Sequence, residues 1–146
     1  ILNFEKNYFF DIYPKYINKI LLFSQKNDIK VALIKQPLYI DPPLQIKIQN
    51  YSIEKLWNLM VNKNNIEFQK HSETDSFWIL SNAILNKQLD LLASNNHNFI
   101  LIDPIKEFSG KYVVYEDLFI DSVHLSPKGN LLLAKIIKNE ISYLFE

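Results

Sequence analysis

An α/β fold built on a parallel sheet is predicted from two matching stretches and what lies before them. Ile29-Lys30-Val31-Ala32-Leu33-Ile34-Lys35-Gln36 and Phe99-Ile100-Leu101-Ile102-Asp103 are short apolar runs rich in β-branched residues, and each is stopped by a proline, Pro37 or Pro104. Runs of this kind are strands buried on both faces. Each follows a helical pattern and an Asn-rich turn, and helix–strand alternation points to crossovers in a parallel sheet.

Taken in order, Ile1 to Phe10 is aromatic-rich with little period, and the aromatics between Phe4 and Tyr16 are expected mainly in the core. Pro14 suits the first turn of a helix reaching Gln25, with Ile17, Ile20, Leu21 and Ser24 inward and Lys15, Lys19 and Lys26 outward. Lys26-Asn27-Asp28 is a turn. Leu38 to Asn50 contains Pro42-Pro43 and reads as a surface loop, with Gln45 to Ile48 alternating like a short edge strand. Ser52 caps a helix to about Val61 that places Ile53, Leu56, Trp57 and Met60 on one face. Asn62 to Ser72 is polar and irregular. A long helix from Thr74 or Asp75 to Ser94 turns Phe77, Leu80, Ile84, Leu91 and Leu92 inward. Ile105 to Phe119 is a long connection, extended near Tyr112 to Tyr115. Ser126 as N-cap and Pro127 at the first helical position open the last helix.

Composition narrows function. At 146 residues and 48% hydrophobic content the chain fits one domain with a true core, and no internal boundary or repeat is visible. Sixteen basic residues, all lysine, balance sixteen acidic ones, so no net field favours nucleic acid or an anionic membrane. Without cysteine there is no disulfide, thiolate metal site or cysteine nucleophile. No apolar run approaches the roughly 20 residues that span a bilayer.

The chemistry concentrates in Asp121-Ser122-Val123-His124-Leu125-Ser126-Pro127-Lys128-Gly129-Asn130. In an open parallel sheet, ligands bind beyond the carboxyl ends of the strands, and this stretch forms such a loop before a helix. A three-residue offset lets the Asp121 carboxylate reach Nδ1–H of His124, which fixes the tautomer and leaves Nε2 free to accept a proton. The plainer alternative is that Asp121 only makes a turn and His124 is a surface residue. Gly129 lacks a Cβ in the first helical turn, where backbone can then approach closely. Gln36 and Asp103 stand at carboxyl strand ends, able to face substrate or to serve as turn residues. His71-Ser72-Glu73-Thr74-Asp75 is better explained as a helix cap than as a metal site, and His97 as a solvated loop residue. No metal or cofactor is expected.

The string from Asp121 to Asn130, followed by Leu131-Leu132-Leu133-Ala134, closely resembles the final block of the SGNH, or GDSL-type, hydrolases. Strands ending in Gln36-Pro37 and Ile102-Asp103-Pro104 also look like the back half of that family. The resemblance implies a three-layer α/β/α flavodoxin-like fold and serine ester hydrolysis of a small-molecule, lipid or carbohydrate ester. It makes His124 the general base and Asp121 its orienting carboxylate. The family's nucleophilic serine, glycine and oxyanion asparagine have no counterpart here. Ser24, Ser52, Ser72, Ser76, Ser81, Ser94 and Ser142 read as helix or cap positions, and Asn27-Asp28 lies at the wrong edge of the sheet.

The expectation is therefore the C-terminal part of such a hydrolase, inactive alone, with an exposed sheet edge open to association. The alternatives are an O-acyltransferase, or a non-catalytic α/β module that binds a carbohydrate or a partner protein.

Overall fold

The computed structural model describes residues 2–62, 68, 70–95, 99–110 and 114–142. Helix α1 (Leu2–Asn7) passes through a π-helical turn (Tyr8–Ile12) into α2 (Tyr13–Lys26). Strand β1 (Val31–Ile34) follows, then α3 (Pro42–Gln49), α4 (Ile53–Val61) and α5 (Glu73–Asn95). Strand β2 (Phe99–Ile102), the short α6 (Ile105–Phe108), a 3-10 turn (Tyr115–Leu118) and α7 (Pro127–Ile141) are the remaining elements among the described residues. The architecture is mixed α/β, mostly helical, and among the described residues its sheet consists of β1 and β2, paired in parallel with Val31 opposite Phe99 and Ile34 opposite Ile102.

The wide π turn has a packing consequence. Phe9 and Phe10 are adjacent, yet both rings reach Trp57, at centroid distances of 6.3 and 6.0 Å. The aromatics between Tyr8 and Tyr16 consequently divide: Phe9 is buried, whereas Tyr8 and Tyr16 are exposed. Helix α2 ends at Asn27 and Asp28, where Asp28 takes φ 52° and Ile29 N–H returns to Ser24 O at 2.8 Å. That turn precedes β1, so Asn27 and Asp28 lie at its amino end. Along α2, Leu21 and Ser24 are buried but Ile20, expected inward, is exposed. It shares an outer stripe with Tyr16 and Phe23, which recur at helical spacing.

The expected surface loop with an edge strand at Gln45–Ile48 is instead α3. Asp41 stands at its N-cap and Pro42-Pro43 occupy its first turn, where missing N–H groups cost no intrahelical bond. Gln45 and Ile48 are buried while Ile46 and Lys47 between them are exposed, a three-residue spacing that a helix produces and a strand does not. β1 is shorter than the apolar run, because Ile29 and Lys30 are exposed ahead of it. Part of the connection after β2 is also helical, in α6 and the 3-10 turn. Of the extension expected over Tyr112 to Tyr115, residues 112 and 113 lie outside the described residues, Val114 is extended, and Tyr115 instead opens the 3-10 turn; His97 also lies outside the described residues.

Helix α5 is the central strut, packed against α2, α3, α4 and β2. Its N-terminus is capped by Ser72, whose hydroxyl accepts from Asp75 N–H at 3.0 Å. Being wrapped by several elements, it buries Ile79, Leu80, Ala83, Ile84 and Leu89, and also Ser81, Asn86 and Gln88. Leu91, expected inward, is exposed near the helix end. The two buried amides of this helix find partners: Gln88 Nε2 donates to Phe9 O at 2.9 Å, and Asn86 bonds β1's end, described below. One apolar cluster joins α5 to Phe9, Leu56 and Trp57; a second joins Ile102, Phe108, Leu118, Phe119 and Ile136. Among the described residues no helix is long and apolar enough to cross a membrane.

The two strand ends are tied by Lys35, whose Nζ lies 2.5 Å from Asp90 Oδ1 and 2.6 Å from Asp103 Oδ2. Burial pulls this ammonium's pKa down, but hydrogen bonds and charge from Asp103 and Asp90 outweigh it and hold the group above its ordinary range. Replacing Lys35 by Met should cost about 2 kcal/mol at neutral pH, less than for a fully buried pair because both carboxylates touch water. A raised folded pKa means that this contribution is complete below pH 10.5 and is lost progressively as pH rises from there through the higher folded value. Urea denaturation of both proteins at pH 7 and near pH 11 should therefore show the difference shrinking at the higher pH.

Candidate functional site

Asp121 and His124 sit at the tip of a small hairpin. Phe119 and Leu125 form an isolated antiparallel bridge, with Ile120 N–H donating to His124 O at 2.8 Å and Ser126 N–H to Leu118 O at 2.9 Å. The base of this hairpin is anchored by burial of Leu118 and Phe119, each contributing roughly 1.5–3 kcal/mol. Phe119 packs edge-on against Phe108 and Tyr39, at 5.9 and 5.5 Å between ring centroids.

Helix α7 begins immediately after the hairpin. The Ser126 hydroxyl accepts from Gly129 N–H at 3.1 Å and donates to Asp117 O at 2.5 Å. Lys128 Nζ reaches Asp117 Oδ2 at 2.8 Å, so Asp117, which sequence reading passed over, ties the helix start to the 3-10 turn. The close backbone approach expected at Gly129 is present: a Cβ there would collide with the carbonyl oxygen of Leu118, the same oxygen that accepts from Ser126.

At the tip, Asp121 Oδ1 accepts from the main-chain N–H groups of Val123 at 2.9 Å and His124 at 2.8 Å. The same carboxylate approaches His124 Nδ1, at 3.0 Å from Oδ1 and 2.9 Å from Oδ2. Asp121 thus makes both contacts that the sequence left as alternatives, a turn and an imidazole bond. The His124 side chain is 72% exposed, and among the described residues nothing hydrogen-bonds its Nε2. The bond from Val123 N–H, then that from the imidazole and that from His124 N–H, lower the Asp121 carboxyl to a pKa of about 2. Chemically, the arrangement is an imidazole whose Nδ1 is held by an ionised carboxylate and whose other nitrogen faces solvent.

Neighbouring elements hold the loop from two sides. Ser122 is buried, and its hydroxyl, after that of Ser72, lowers the pKa of Asp75 at the start of α5. Gln36, just past β1, donates from Nε2 to Val123 O at 3.3 Å. The run His71 to Asp75 therefore serves as a helix cap and a loop anchor. Among the described residues no group of three or more His, Asp or Glu side chains could hold a metal ion. Asp103 turns to Lys35 and also accepts from Ile105 N–H at 3.1 Å, so it is occupied as a turn and ion-pair residue. Asn86 was not singled out from the sequence, since a polar residue in the middle of a long helix gives no hint that it will be buried.

Most of the serines that read as helix or cap residues have local partners. Ser24, Ser94 and Ser142 bond carbonyls of their own helices, Ser52 caps α4, and Ser81 lies 3.4 Å from the Met60 sulfur.

Comparison with protein-family models, with curated proteins and with solved structures returns no match.

Two measurements test this geometry. Gly129→Ala, ordinarily stabilising by about 1 kcal/mol inside a helix, should here destabilise by about 2 kcal/mol, because the collision is with backbone; a shift of the urea midpoint reads the sign. The depressed Asp121 pKa means that the loop's stabilisation is intact above the ordinary carboxylate range and lost as pH falls through about 2. The amide shifts of Val123 and His124 should titrate there rather than near pH 4.

Proposed function

We propose that this chain carries the general base and its orienting carboxylate of an SGNH-type serine ester hydrolase. The observation supporting the reading is the Asp121–His124 pair, with Nδ1 bonded to the carboxylate at 2.9 Å and the side chain bearing Nε2 open to solvent. A general base must present a lone pair to an incoming hydroxyl, and the bond at Nδ1 selects the neutral tautomer that does so.

In the proposed reaction a serine hydroxyl attacks the ester carbonyl as its proton passes to His124 Nε2. The resulting imidazolium is stabilised by Asp121, which stays ionised. When the tetrahedral intermediate collapses, the C–O bond to the alcohol breaks and the alcohol takes the proton from Nε2. Water then repeats the sequence on the acyl-serine, releasing the carboxylic acid. A sugar hydroxyl in place of water would make the same machinery an O-acyltransferase.

The substrate class is a small-molecule, lipid or carbohydrate ester, and the zero net charge provides no long-range attraction for polyanions. The serine and oxyanion donors belong to polypeptide other than the residues described. The reading also implies the fuller three-layer, flavodoxin-like fold. In keeping with it, the register of β1 directs the main-chain groups of Ala32 and Ile34 away from β2, and they find no other partner among the described residues. An additional strand could pair at that edge.

In the serine-bearing form of the protein, His124→Ala should reduce kcat for p-nitrophenyl acetate by about a thousandfold or more, with the fold intact by circular dichroism. An unchanged rate would favour a non-catalytic module in which Asp121 and His124 only shape a turn.

A further inference from the structure

The peptide unit joining Val123 to His124 is held at both ends. Its oxygen accepts from Gln36 Nε2 at 3.3 Å, and its N–H donates to Asp121 Oδ1 at 2.8 Å. A peptide is planar, so fixing its two ends fixes its plane and the position of the His124 Cα, and the bond from Ile120 N–H to His124 O at 2.8 Å, on the following peptide, sets the direction in which the Cβ leaves the backbone. Only the side-chain torsions of His124 then remain to be set, and the bonds from Nδ1 to Asp121 set them.

Gln36 is well placed to act as the fixed point. Its own N–H donates to Asn86 Oδ1 at 2.8 Å, and its carbonyl accepts from Asn86 Nδ2 at 2.7 Å. Both groups of Asn86 are thus spent on the main chain of Gln36, and Asn86 is buried on α5. Lys35, the residue before, is held by Asp90 from the next turn of the same helix. Gln36 therefore projects from a backbone clamped to the central helix, and its side chain spans the gap to a loop 87 residues later in the chain. A bond to the carbonyl also polarises the peptide, which strengthens its N–H as a donor to Asp121.

We propose that Gln36 is a positioning residue for His124: its side-chain amide pins the peptide in front of the imidazole and selects the ring orientation in which Asp121 holds Nδ1. Its relevance to catalysis rests on the hydrolase reading, but the positioning itself is measurable without any ester.

The test is nitrogen-15 NMR of the His124 ring, with hydrogen exchange at its amide, on this chain. Gln36→Leu keeps bulk and removes the donor. Gln36→Glu keeps the shape and removes the donor once ionised, and is the second variant should the first fail to fold. The bonds from Asn86 are to main chain and survive either change. Ser126→Ala, which loosens the cap of α7 without touching the Val123–His124 peptide, is the control for general loss of loop stability.

The Gln36 variants should raise the minor, Nε2-protonated ring population and the amide exchange rate about fivefold, the effect of losing one ordinary hydrogen bond. Ser126→Ala should leave the ring population unchanged. The proposal is overturned if the Gln36 variants leave the ring population as in the wild type, or if Ser126→Ala shifts it equally. Neither result depends on the His124→Ala assay, so failure of the positioning role and failure of the hydrolase reading are told apart.

Discussion

The paired bonds between the Asn86 side chain and the main chain of Gln36 are the joint on which the rest of the arrangement depends. Beyond β1 the backbone leaves the sheet, and its polar groups need partners because this part of the chain is enclosed by Pro37 and Leu38 on one side and buried Lys35 on the other. An amide side chain presents an NH2 donor group beside a carbonyl acceptor, and the two match the C=O and N–H of a single residue. The cost of burying Asn86 is thereby offset. The central helix and the strand end become one rigid piece.

From that joint two lines of contact lead to the hairpin tip. One runs through the Gln36 side chain to the Val123 carbonyl; the other runs from the start of α5 through Asp75 to Ser122. The hairpin base is held separately, by apolar burial of Leu118 and Phe119 and by the contact of Gly129 with the Leu118 carbonyl. Those restraints act on residues to either side of His124 and leave its side chain in solvent. The exposed imidazole is thus placed by its backbone instead of by packing of its own ring. That is a sound physical route to an exposed group of defined orientation.

The Asp121 carboxylate serves two functions with the same atoms. Its acceptance of two main-chain N–H groups is ordinary turn chemistry, and it aligns the carboxylate so that the imidazole meets it three residues later. The turn and the imidazole contact are therefore one structure. Both keep the carboxylate ionised, which is the state required to stabilise an imidazolium.

Much of this was legible in local sequence. The two apolar runs stopped by proline correspond to paired parallel strands, Ser52 and Ser126 cap helices, and Gly129 admits a neighbouring carbonyl. Each follows from short-range rules of backbone geometry and hydrogen bonding. The same rules misread Gln45–Ile48, where alternating polar and apolar residues imitate a strand although two prolines at a helix start gave the opposite signal. They also placed Ile20 and Leu91 inside, because periodicity defines an apolar face without saying how much of it another element will cover. The spacing of Asp121 and His124 by itself allowed their contact. What tertiary structure alone decided was the burial of Asn86, the ion pairs of Lys35, and the reach of Gln36 to Val123. Those contacts join residues 50 to 87 positions apart, and polar side chains carry no periodic mark of which distant partner they will find.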